Sequence, residues 1–262
     1  MNYDFIVLQT DFGLNDHFVS VVKGVIYTIN PEVRIIDLTH QIQPQNIMQA
    51  GFLLKHSHVY FPARSIFVSI VDPGVGTGRE IILLQKGNQI FLAPDNGLLT
   101  LVADDPHTRA YQLTIPNKYL KHPVSQTFHA RDIFAPMAAY LSKGISIKTV
   151  TRPIPEMKKL EFPDVKLARN EMTGSVIYVD HFGNLITNIT KDLFFEFIKL
   201  KGTFYIQVHN HKITALSRNY SIREKAGALF NSFDLLEIFS PGQEAAQVLK
   251  ASGGEEVRVL TK

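Results

Sequence analysis

The sequence predicts two architectures in one chain: a three-layer α/β sandwich over residues 1–165 and a small all-β barrel over residues 166–262. Three observations carry this. Apolar strand-like runs alternate with helix-period runs in the first part, the pattern of a parallel sheet with crossover helices. The run Ile66 to Val71 is nearly all apolar, as expected of a parallel strand covered on both faces. Near residue 150 the alternation stops, and short β-rich runs follow one another closely.

Taken in order, Phe5 to Leu8 is an apolar run closed by Gln9-Thr10-Asp11, a buried strand ending in a turn. Phe18, Val21, Val22, Val25, Ile26 and Ile29 share one face of a helix that ends before Pro31. Arg34 to Leu38 is a second strand, and Pro44 to Lys55 a second helix. Ile81–Leu84 and Ile90–Ala93 have a short connection, which predicts an antiparallel edge to the sheet. Ile133 to Leu141 is helical again. Arg152-Pro153-Ile154-Pro155 and Phe162-Pro163 read as a linker. Beyond it come the short strands Gly174–Val179, Leu185–Ile189, Thr203–Val208, Lys212–Ala215, Ala228–Phe230, Leu235–Phe239 and Glu256–Leu260. Asn210-His211 is a hairpin signal, and one helix from Gln243 to Lys250 interrupts the strands.

Composition narrows the function. Lys and Arg total 27 against 24 Asp and Glu, with no basic run, so no nucleic-acid-binding face is indicated. The absence of cysteine excludes disulfides, iron–sulfur clusters, Cys-ligated zinc and thiol catalysis. His56/His58 and His209/His211 lack a carboxylate partner at short range, so no metal is expected. The first residues lack the basic region of a signal peptide, and no run reaches about 18 apolar residues. The expected setting is the cytoplasm, with no membrane partner.

Five stretches can carry chemistry. Thr10-Asp11-Phe12-Gly13 spells a kinase motif, but the Gly-rich loop and H-R-D that a kinase needs are missing. Asp11 stands at the carboxyl end of the first strand, where open α/β sheets bind ligands, or it caps a turn. Asp72-Pro73-Gly74-Val75-Gly76-Thr77-Gly78-Arg79 is neither a P-loop nor a dinucleotide fingerprint, because its spacing is wrong and a strand follows. It is a glycine-rich turn, or a loop whose backbone approaches a ligand, with Asp72 and Arg79 able to meet across it. His129, in Phe128-His129-Ala130-Arg131-Asp132, is a capping or packing residue unless it lies near that pair. Asp180-His181-Phe182-Gly183-Asn184 is a turn capped by its Asp; alternatively the Asp binds a cation and the Asn reads an adenine edge. Asn231-Ser232-Phe233-Asp234 leaves the same two readings open.

Together these stretches resemble the S-adenosyl-L-methionine (SAM) hydroxide adenosyltransferases, relatives of the fluorinase and chlorinase. The resemblance also takes in Leu14-Asn15-Asp16, Ile36-Asp37-Leu38-Thr39-His40 and Ala93-Pro94-Asp95-Asn96-Gly97, in the family's order and over nearly the whole chain. It implies hydrolysis of SAM to adenosine and L-methionine by water attacking ribose C5′, with no cofactor. It implies a catalytic group of Asp72, Arg79 and His129, with Asp11 on the ribose hydroxyls. Asp180 would take the methionine ammonium, Asn184 the adenine with Phe182 packing nearby, and Ser232 the methionine end. It further implies a homotrimer with sites between subunits. The halogenases carry an aromatic residue at the position of Asp72 and a hydroxyl residue at that of Ala130, so the sequence has the water-using version at both. Asp234 stands where the family usually has Gly, and Phe239-Ser240-Pro241 departs from an Ala-rich continuation. Two rivals remain at this level: a non-catalytic SAM or adenosine sensor, and a SAM-dependent halogenase.

Overall fold

A computed structural model describes residues 2–120, 123–199, 202–221 and 224–261. The chain divides into two compact units, Met1–Leu160 and Glu161–Lys262.

The first unit is built on strands β1 (Phe5–Thr10), β2 (Arg34–Thr39), β3 (Ser65–Ile70), β4 (Ile81–Lys86), β5 (Gln89–Pro94), β6 (Thr108–Leu113) and β7 (Thr151–Pro153). They form one sheet in the order β2-β1-β3-β5-β4-β6-β7. The first four of that order are parallel, and β4, β6 and β7 run antiparallel, as the short 84–90 connection predicts. The helices are α1 (Phe18–Ile29), α2 (Ile47–Ser57), α3 (Thr100–Ala103), α4 (Ala135–Ser142) and α5 (Ile147–Val150). Side chains alternate between two cores, because successive strand residues point to opposite faces. Ile6 and Leu8 join Val22 and Ile26 of α1 and Met137 and Leu141 of α4. Val7 and Phe67 join Ala50 and Leu54 of α2 and Val102 of α3.

Some boundaries differ from expectation. The second helix starts at Ile47 rather than Pro44, because Asn46 caps it by accepting the Gln49 amide at 2.9 Å. Part of the expected linker is strand β7, in which Arg152 Nε donates to Gln112 Oε1 at 2.9 Å. Pro153 is tolerated there because β7 is an edge strand. The helix expected over 133–141 is preceded by a wide π-helical turn, Ala130–Phe134.

The second unit contains β8 (Lys166–Leu167), β9 (Glu171–Val179), β10 (Leu185–Thr190), β11 (Phe204–Val208), β12 (His211–Ile213), β13 (Gly227–Phe230), β14 (Leu235–Phe239) and β15 (Glu256–Thr261). Its antiparallel path runs β12-β11-β15-β9-β10-β14-β13, with β8 pairing β9. The result is nearly barrel-shaped, with β12 and β13 as the two ends of the path. It is not all-β. Besides α7 (Ala245–Leu249), a helix α6 (Lys191–Ile198) follows β10. The Thr190 hydroxyl caps α6 by accepting the Leu193 amide at 3.3 Å. Phe194 then inserts edge-on between Phe204 and Phe230, each ring 5.3 Å away. Adjacent Phe194 and Phe195 blur the helical period in the sequence, which is why α6 is not legible there. Among the described residues no helix is long and apolar enough to cross a membrane.

Candidate active site

Strands β1 and β3 are parallel and in register up to Thr10 opposite Ile70. Asp11 and Asp72 therefore leave the carboxyl edge of the sheet side by side, the place where such sheets bind ligands. Asn96 fixes the second exit, its Nδ2 donating to the Val71 carbonyl at 2.8 Å. The glycine-rich loop then turns Arg79 back onto Asp72. Arg79 Nε donates to both carboxylate oxygens, at 2.9 and 2.8 Å, and Nη2 donates to Oδ2 as well. Both side chains are only 6% exposed. The Arg79 guanidinium also lies over the Phe134 ring, 5.8 Å from its centroid.

The same loop packs on the segment that carries His129. Gly76 has φ +76°, and a Cβ there would fall 2.1 Å from the Gln126 carbonyl oxygen. Only glycine fits this approach. His129 opens the wide turn Ala130–Phe134, and its Nδ1 accepts a hydrogen bond from Arg79 Nη2 at 3.1 Å. The condition that makes His129 interesting is thus met. A guanidinium has no lone pair to offer, so Nδ1 must be the acceptor and the neutral ring carries its proton on Nε2. Burial, and then the Arg79 charge, hold the His129 pKa below the usual imidazole value, while Asp72 and Asp132 pull the other way.

Asp11, Phe12, Asp72, Phe128, His129 and Ala130 line a cavity of about 350 Å³, with Arg79 behind its wall. Phe12, Phe18 and Phe128 meet edge to face and make its apolar side. Asp11 Oδ2 accepts the backbone amide of Gln45 at 2.8 Å.

The remaining candidates lie in the second unit. Asp180, Phe182 and Asn184 line a cavity of about 1280 Å³ together with Tyr220, Glu244 and Gln247. Asp180 Oδ1 accepts the amides of Phe182 at 2.9 Å and Asn184 at 2.8 Å, and Oδ2 accepts Asn184 Nδ2 at 3.2 Å. Asp180 therefore caps its own turn while facing the cavity. Phe182 is 73% exposed, an apolar ring presented to whatever enters. Gly183 is required for two reasons: its φ is +78°, and a Cβ would fall 2.4 Å from Glu244 Cβ. Ser232 sits on an exposed turn and is not part of the cavity lining. In that turn Asp234 adopts φ +55°, a left-handed conformation that glycine adopts freely and Asp tolerates.

The sequence reading missed Tyr220 and Glu237. Tyr220 lines the cavity, and its hydroxyl donates to Glu237 Oε1 at 2.9 Å. Glu237 is 3% exposed, and burial pushes its carboxyl up. Burial and Glu237 push the Tyr220 hydroxyl up to about 12; burial, with Asp180 and Glu237, does the same to Tyr178. A signal was present: Glu237 is a lone acid inside the apolar run Leu235-Leu236-Glu237-Ile238-Phe239.

Comparison with other proteins supplies the context. Residues 6–151 match the SAM hydroxide adenosyltransferase N-terminal domain, and residues 174–258 match the corresponding C-terminal domain. The chain is 33% identical to the (R)-S-adenosyl-L-methionine hydrolase of Salinispora arenicola, over 97% of both chains. It is similar in structure to an uncharacterized conserved protein from Thermotoga maritima, with a TM-score of 0.89 and 33% identity, over 97% of this chain and 99% of that one. A fluorinase of Nocardia brasiliensis is more distant, 27% identical over 70% of each chain.

Proposed function

The chain belongs to the SAM hydroxide adenosyltransferase family and hydrolyses SAM; we propose that water attacks ribose C5′ in the first unit's cavity, held by Asp72, Arg79 and His129. The observation that supports this best is the Arg79 bridge. One buried guanidinium grips Asp72 and, from the same Nη2, sets the tautomer of His129.

The reaction is an in-line displacement: an oxygen–C5′ bond forms as the C5′–sulfur bond breaks. Methionine leaves as a neutral thioether, so the leaving group needs no acid. The difficulty is the nucleophile, since water has a pKa of about 15.7. With Nδ1 occupied, His129 presents Nε2–H to the water oxygen and orients it. Asp72 is then the group on the cavity wall that accepts the water proton, a step worth roughly 10²–10⁴-fold. Fixing water and C5′ in line adds up to about 7–11 kcal/mol in favourable cases. Asp11 takes the ribose hydroxyls, while its Oδ2 also accepts the Gln45 amide that holds the side chain in place.

In the second unit, Asp180 takes the methionine ammonium, Asn184 reads the adenine with Phe182 packing beside it, and Ser232 serves the methionine end. An ammonium partner for Asp180 keeps its charge away from the sulfonium. A carboxylate beside the sulfur would stabilise the charged ground state more than the transition state. The resemblance supports a homotrimer in which one copy's first unit and a neighbour's second unit make each site. The two cores flanking the first sheet support a three-layer sandwich, and the absence of cysteine suits a reducing cytoplasm.

Halide transfer is the alternative chemistry. The Asp72 carboxylate on the cavity wall repels an anion, and Ala130 offers it no hydroxyl donor. Purified protein with SAM in ¹⁸O-water tests the reading. Adenosine labelled at its 5′ oxygen is expected; unlabelled adenosine, or a chloride-dependent 5′-chloro product, would overturn it.

A further inference from the structure

We infer that His40 is a positioning residue for Asp11, acting through the Thr10 hydroxyl. The inference rests on the reading that Asp11 holds the ribose. Asp11 lies just beyond β1, past the last residue that the strand ladders hold. The segment after β2 grips this turn instead, at three places. His40 Nδ1 lies 2.8 Å from Thr10 Oγ1. The His40 carbonyl accepts the Gly13 amide at 2.8 Å. The Gln45 amide donates to Asp11 itself. Thr10 Oγ1 also accepts the Phe12 amide at 3.2 Å, so one hydroxyl ties both neighbours of Asp11 together. His40 Nε2 faces the Asp37 carboxylate, which favours the ring proton there; Nδ1 is then the acceptor and the Thr10 hydroxyl donates to it.

His40 is fixed in turn from behind. The residue is 3% exposed. Its Nε2 lies 3.0 Å from Asp37 Oδ1, off the angle of a full hydrogen bond and with no other acceptor among the described residues. Lys23, on α1, holds the other Asp37 oxygen at 2.6 Å. Burial alone would raise the Asp37 carboxyl, but Lys23 and His40 outweigh it and hold it below the usual range. A chain of contacts thus runs from α1 through Lys23, Asp37, His40 and Thr10 to the mouth of the cavity. None of these four side chains lines the cavity, so they act on substrate only through Asp11.

Ordinary packing would explain the same contacts, and a double-mutant cycle separates the two accounts. In the full-length protein, Thr10→Val, His40→Leu and His40→Asn are made alone and in an Asp11→Ala background. Adenosine affinity is read by calorimetry, kcat and KM with SAM, and Tm by thermal unfolding. Thr10→Val and His40→Leu should each weaken adenosine about tenfold and raise KM alike, with a smaller change in kcat. His40→Asn should recover part of the loss, since its amide oxygen can accept from Thr10. In the Asp11→Ala background the same changes should shift adenosine affinity less than about twofold. An undiminished penalty without Asp11, or no penalty with it, would overturn the inference. If His40→Leu does not fold, the near-isosteric Thr10→Val decides alone. If Asp11→Ala by itself leaves adenosine binding intact, the ribose role of Asp11 falls and this inference with it, whatever the ¹⁸O result.

Discussion

The two cavities hold their polar side chains by opposite means. In the first unit the grip extends far along the sequence: Arg79 holds Asp72, seven residues before it, and reaches His129, 50 residues on. In the second unit, Asp180 and Asn231 serve their own turns. Asp180 caps Phe182 and Asn184, and Asn231 Oδ1 accepts the amides of Phe233 and Leu235. A self-capped turn forms with its own few residues, whereas the Asp72–Arg79–His129 array exists only once the sheet has assembled. Damage to the first should therefore strike turnover and folding together. Damage to the second should strike binding.

The largest effect is expected from Arg79→Met. It strips every described side-chain partner from Asp72, whose side chain is 6% exposed. Removing one partner of a buried ion pair costs about 3–5 kcal/mol, and the rate should fall at least about 10²-fold with it. Urea unfolding and single-turnover kinetics check both. Wild-type stability and rate would erase the contrast between the two cavities. Next comes His129→Ala, which should slow turnover roughly 10²-fold while adenosine affinity stays within about twofold. Equal losses in kcat and in binding would place His129 in substrate recognition instead.

Gly183→Ala probes the other cavity. Forced positive φ and the clash with Glu244 should cost about 1–3 kcal/mol, and KM for SAM should rise with kcat little changed. A kcat defect of the size seen at His129 would show that the second cavity is not confined to binding.

The smallest effects are in pH dependence. His129 titrates below its ordinary value, so the unfolded chain binds its proton first. Stability from this group is complete above about pH 6.5 and declines as the pH falls toward the folded value. His129→Ala should flatten that part of the profile. His209 has the opposite sign: Nε2 pairs with Glu255 at 2.9 Å, and Nδ1 lies 3.2 Å from the Leu249 carbonyl. Glu255 raises its pKa, so its contribution is present below pH 6.5 and fades as the pH rises through the folded value. The pair is exposed, so His209→Gln should lower Tm slightly at pH 6 and not at pH 9.

What the sequence made legible follows the same division between near and far. The buried parallel strands announce themselves by apolar runs, and the Asp72–Arg79 pair by lying seven residues apart across a glycine-rich loop. His129 needed the fold, since nothing in its own neighbourhood distinguishes a cap from a member of the site. Helix α6 was hidden because consecutive aromatics obscure its face. Strand β7 was hidden because prolines at an edge look like prolines in a linker. The pairing of Tyr220 with Glu237 is invisible without β14, although the isolated acid in that strand marks a buried carboxyl.

The second unit's turns also differ in how freely the lineage can drift. Gly183 and Asp234 both need a left-handed backbone, but Gly183 is walled in by Glu244, whereas the Asp234 side chain is 71% exposed. Evolution can exchange glycine for aspartate at the open corner, with Lys191 within 3.2 Å to accompany the new charge. At the walled corner no such exchange is open, because a Cβ at 183 would meet the Cα of residue 244 itself, 2.7 Å away. Descendants should therefore vary at position 234 long before they vary at 183.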